Sequence, residues 1–125
     1  MVLFSVLRVY RKGVLKIAHK ISSWLLIALG VVHTSLTPMF YGRLSPGAMW
    51  FAGSGLAMVF VGFLNIAFAR DAGRNDRLVR ALCYIANLST LVFGALIVVV
   101  DSEPQVIFGL LLIAVMTVTA FLLRR

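Results

Sequence analysis

The sequence predicts an all-α integral membrane protein: an antiparallel four-transmembrane-helix bundle with an N-terminal basic amphipathic helix, N-in/C-in. Three observations predict it. Four apolar stretches, roughly Ile21–Phe40, Ala48–Ala69, Ala81–Val100 and Val106–Leu123, fill most of the 125 residues. Each is close to the ~20 residues that cross ~30 Å of hydrocarbon. The composition is 62% hydrophobic and only 13% charged, too little charge to cover a water-soluble domain of this length. Finally, eleven of the twelve Lys and Arg residues fall on one side of the stretches. Arg8, Arg11, Lys12, Lys16 and Lys20 precede the first; Arg70, Arg74, Arg77 and Arg80 separate the second from the third; Arg124 and Arg125 follow the fourth. Arg43 alone lies opposite. Under the positive-inside rule, both termini and the middle loop face the cytoplasm.

Residues 1–20 read as a juxtamembrane helix. Arg8, Lys12, Lys16 and Lys20 recur every four residues as a cationic stripe, with Leu3, Leu7, Tyr10, Val14, Ile17 and Ile21 as its apolar side. These four cations are the candidate lipid-headgroup ligands. The segment either lies at the interface or continues into the first span. A cleaved signal peptide is disfavoured, because the basic region is long for one.

Spans are expected at about 21–40, 46–69, 78–100 and 104–123. Pro38 ends the first helix near Leu36, leaving an outer loop of about Thr37–Leu44. Ser45-Pro46 opens the second with an N-cap and a proline at the first helical position. Residues 71–76 form a polar turn, and Asn75 or Asp76 caps the third helix. Ser102 with Gln105 matches a capping box for the fourth. No second domain fits in the remaining length.

Three features are candidates for chemistry. The second span carries a helix-packing seam of small residues: Ala48, Ala52, Gly55, Gly62 and Ala69. Such a face lets two backbones approach within the bundle or in a homo-oligomer. A polar layer comes from all four helices: Ser22-Ser23, Asn65, Asn87, and Thr117 or Thr119. It is either interhelical glue or a ligand cavity, with Asn65 and Asn87 bonded to each other. Lastly, His33, Thr34 and Thr37 mark the outer end of the first span. Asp101 is positioned to orient His33, whose imidazole suits a structural bond, a proton or ligand role, or a quinone or haem. Cys83 reads as a small apolar filler.

No catalytic residues and no metal site can be assembled from the sequence, so the chain leans towards a non-enzymatic role. No charged group falls at mid-membrane, which disfavours a proton-coupled exporter. Its charge bias disfavours dual-topology insertion. The net charge of +8 is explained by flanking loops, with anionic lipid as partner and no nucleic acid. The expected function is binding lipid or a membrane-protein partner, in an accessory or structural role, in the bacterial inner membrane. An oligomeric transporter or channel lined by Asn65 and Asn87 is the alternative. A quinone- or haem-linked redox protein using His33 comes third, and otherwise no cofactor is expected.

Overall fold

The computed structural model describes residues 1–124 and is all-helical among them; Arg125, one of the counted charges, lies outside the described residues. The elements are α1 (Val2–Ser35), α2 (Thr37–Phe40), α3 (Pro46–Ala69), α4 (Asp71–Asn75), α5 (Arg77–Val100) and α6 (Pro104–Leu123). The helices α1, α3, α5 and α6 are long and apolar enough to cross a membrane. Each packs on two neighbours in the ring α1–α3–α5–α6, which closes through α6 on α1. The chain runs up and down, so one end gathers the basic residues other than Arg43, and the other holds the α1–α3 and α5–α6 connections.

Residues 1–20 and the first apolar stretch form a single 34-residue helix. At 1.5 Å per residue α1 is about 51 Å long, against about 36 Å for the 24 residues of α3. The surplus projects from the basic end. Met1 to Val14 are exposed, and packing starts at Leu15. From there one stripe turns inward: His19, Ser22, Ser23, Leu26, Ile27 and Gly30 are buried, at the three- and four-residue spacing of a helix face.

That stripe meets the small-residue face of α3. Ala48, Gly55, Val59, Gly62 and Ala69 are buried there, and Ala52 is half-buried. The approach is closest where two glycines cross. A Cβ on Gly30 would sit 2.5 Å from the Gly55 carbonyl oxygen, and one on Gly55 would sit 2.8 Å from that of Gly30. Two apolar clusters fill the interior. Leu26, Leu112, Ile113 and Met116 form one; Phe68, Cys83, Ala120 and Leu123 form the other, nearer the basic end.

The connections depart from expectation in three places. The connection after α1 begins with a helical turn, α2, because Pro38 falls in its first turn, where its missing N–H costs nothing. Residues 71–75 are likewise helical (α4). Gly73 is needed there, since a Cβ would strike the Ala67 carbonyl. The Ser102–Gln105 capping box does not form. Glu103 is the N-cap of α6 because Pro104 takes the first helical position, and the Ser102 hydroxyl donates back to the Val98 carbonyl at 2.8 Å. Two other caps are as expected. Ser45 accepts from the Ala48 amide, and Asp76 accepts from the Leu78 and Val79 amides at 2.8 and 3.0 Å.

Candidate functional site

The buried polar groups converge between the two apolar clusters. Asn65 on α3 and Asn87 on α5 are 0% and 1% exposed and face each other. Each amide donates to the other's oxygen, at 2.7 and 2.9 Å. The second hydrogen of Asn65 reaches the Val61 carbonyl, and the Cys83 thiol donates to Asn65 Oδ1. Two side chains whose isolation in an apolar interior would cost several kcal/mol thus satisfy one another.

His19 extends this cluster to α1 and α6, and the sequence reading left it out. It is fully buried. Nε2 lies 3.2 Å from the Asn65 backbone carbonyl, a pure acceptor, so in the neutral ring Nε2 carries the hydrogen. Nδ1 then accepts from the Thr119 hydroxyl at 2.8 Å. That hydroxyl also lies 2.7 Å from the Val115 carbonyl and 3.1 Å from the Met116 carbonyl, so one hydrogen has three acceptors in reach. Ser23 donates to the His19 carbonyl at 2.7 Å. The tie therefore joins His19 of α1, Asn65 of α3, Asn87 of α5 and Thr119 of α6. Thr117 is buried beside it but donates to the Ile113 carbonyl of its own helix. One signal for His19 was available: at the three- and four-residue spacing of a helix face it begins the inward stripe with Ser22, Ser23 and Leu26.

At the other end His33 is half-buried. Its ring stacks on Phe51 with centroids 3.8 Å apart, and Nε2 is 3.0 Å from Ser54 Oγ. The Ser54 hydroxyl donates to the Phe51 carbonyl at 2.7 Å, so Nε2–H donates to Ser54. The expected partner Asp101 is instead turned to the Glu103 amide at 3.3 Å; as the C-cap of α5 and first residue of the connection it serves the start of α6. The Thr34 hydroxyl reaches the Ala52 carbonyl at 3.3 Å. Thr37 Oγ1 is buried without a partner.

The four headgroup candidates do not share one face. A four-residue step turns about 40° beyond a full circle at about 100° per residue, so the stripe winds around α1. Arg8 and Lys12, joined by Arg11, line a groove of about 510 Å³ with Phe4, Leu15 and Leu122 of α6. Lys16 has turned towards α4, where it pairs with Asp71 at 3.4 Å; Arg74 takes the same carboxylate. Lys20 is exposed. Among the described residues, no cluster of His, Cys, Asp and Glu is set to hold a metal ion. Comparison of the chain with protein-family models, curated proteins and solved structures finds no match.

Proposed function

We propose that the chain is a non-enzymatic integral membrane protein with both termini cytoplasmic, which docks on the anionic leaflet through its projecting N-terminal helix. One observation carries this reading. Val2–Val14 is amphipathic and basic, yet among the described residues every one of its side chains stays exposed. Leu3, Phe4, Leu7 and Tyr10 are each more than half exposed. An uncovered helix of that pattern is stabilised by a surface that is apolar below and negative above, which is an acidic lipid interface. The placement of eleven of twelve cations supports the same orientation. A bacterial inner membrane suits it, the leaflet there being anionic on the cytoplasmic side.

The transporter reading has less support. Asn65 and Asn87 give their hydrogen-bonding groups to each other, to Val61 and to Cys83, which leaves little for a permeating solute. A redox role for His33 is weakened in the same way, because Ser54 occupies Nε2 and Phe51 covers a face.

The test is single-cysteine labelling with a membrane-impermeant maleimide in a Cys83→Ser background. Ser102→Cys should label in intact spheroplasts, and Ser5→Cys only after lysis. The reverse pattern, or a water-soluble chain, refutes the proposal. For the docking itself, binding of vesicles by a peptide of residues 1–20 should rise steeply with anionic lipid content. Equal binding to zwitterionic vesicles would count against it.

A further inference from the structure

We propose that the groove between the projecting turns of α1 and the last turn of α6 is the seat of one anionic phospholipid. This rests on the membrane placement above and adds a defined site to it. Three cations, Arg8, Arg11 and Lys12, line the groove. Among the described residues, no Asp or Glu side chain answers them. Of the chain's four acids, Asp71 is held by Lys16 and Arg74, Asp76 caps α5, and Asp101 and Glu103 lie at the far end. The groove therefore presents three cations that no acidic side chain of the described residues neutralises, and an external anion suits them.

The depth of each group selects a lipid. Leu15 and Leu122 form the apolar floor, where packing of the bundle ends. Measured along α1 from Leu15, Lys12 stands about 4.5 Å farther out, Arg11 about 6 Å and Arg8 about 10.5 Å. The polar layer of a bilayer is about 5–8 Å deep on each side. Acyl carbons thus meet the leucines while a phosphodiester lies level with Lys12 and Arg11, and Arg8 closes over it. Guanidinium groups suit this role, since their paired N–H donors match two phosphate oxygens at once. A groove of about 510 Å³ accommodates a glycerophosphate headgroup. Lys16 and Lys20, although part of the same sequence repeat, are turned out of it.

The experiment uses the full chain in nanodiscs of phosphatidylcholine doped with phosphatidylglycerol, followed by native mass spectrometry of retained lipid. Wild type should keep one phosphatidylglycerol. The triple variant R8Q/R11Q/K12Q should lose it, with affinity lower by about 100-fold, since the three groups that would meet one phosphate are all removed. The triple variant K20Q/R70Q/R77Q removes the same charge from exposed positions of the same end but touches no residue of the groove, so only screened, diffuse attraction is lost, and it should bind within about threefold of wild type. Both sets lie outside the packed core, so unchanged melting temperatures verify folding. Equal weakening in the two variants would mean diffuse charge attraction and would overturn the seat while leaving the membrane placement intact. Failure of wild type to retain any anionic lipid also overturns the seat. Failure of the chain to enter nanodiscs at all would remove the placement on which it rests.

Discussion

Replacing Gly55 by Ala isolates the cost of separating α1 from α3. The added Cβ would meet Thr34 Oγ1, the Gly30 carbonyl oxygen at 2.8 Å and the Thr34 amide nitrogen at 2.9 Å. Two of these three atoms are backbone and cannot swing away. Ordinary Cβ contacts begin near 3.4 Å, so α1 must retreat by roughly 0.6 Å along its best-packed face. Overpacking of this kind costs about 1–3 kcal/mol. Gly53 provides the control, two residues away on the same helix, where a Cβ meets nothing within 4 Å. There the substitution gains only helix propensity, about 0.5–1 kcal/mol. Because that gain is common to both sites, the difference between the variants is the clash itself. Gly55→Ala should therefore be less stable than Gly53→Ala by about 1–3 kcal/mol in reversible unfolding in mixed micelles. Equal stabilities, or a more stable Gly55→Ala, would refute the claim that the glycines set the helix spacing.

The Asn65–Asn87 pair predicts a strongly non-additive cycle. Either Asn→Leu change alone leaves the other amide buried and unpaired, at about 1–3 kcal/mol, whereas the double change removes both and should recover much of the loss. Additive single effects in the same unfolding assay would contradict the reciprocal bonding. His19→Ala should cost about 2–3 kcal/mol, from two lost hydrogen bonds and the cavity left by a fully buried ring. Its companion Lys20→Ala, on the exposed side, should change stability by less than about 0.5 kcal/mol; a comparable loss at both positions would show that His19 is not part of the packed interior.

The helices and the seam were legible because each depends on a one-dimensional pattern. Apolar length marks a helix able to span hydrocarbon, and Ala48, Gly55 and Gly62 repeat on a helical period whatever they pack against. Ser45 and Asp76 were legible for the same reason, a cap being a local event. What escaped depends on which neighbour a residue meets. His19 stands between Ala18 and Lys20, in a segment whose charge dominates the reading, yet its azimuth on α1 points it at Asn65 and Thr119, 46 and 100 residues away. Arg11 was missed as a groove residue because it breaks the four-residue repeat of Arg8, Lys12, Lys16 and Lys20. That repeat suggests one stripe only if the winding of about 40° per step is ignored. Ser102 failed as a cap because Pro104 moved the helix start by one residue.

The distribution of ties along the bundle argues for one firm end and one yielding end. All four long helices are joined within the layer of His19, Asn65, Asn87 and Thr119, and the Phe68 cluster seals that layer towards the basic end. Arg74 adds a bond from α4 to the Ala69 carbonyl at 2.8 Å. Towards the other end the α1–α3 pair stays fastened, through Gly30 against Gly55, His33 to Ser54 and Thr34 to Ala52. The α5–α6 hairpin has no such fastening there. Val92, Phe93, Leu96, Val99 and Val100 are exposed, and a Cβ at Gly94 would meet only the tip of the Leu110 side chain, at 3.2 Å. Hydrogen exchange should accordingly be slowest around Asn65 and Asn87 and, apart from the uncovered Val2–Val14, fastest within the long helices at the adjoining ends of α5 (Val98–Val100) and α6 (Pro104–Val106). This asymmetry puts the tied layer in the half of the bundle from which Arg8, Arg11 and Lys12 project, with the Phe68 cluster and Leu15 between them.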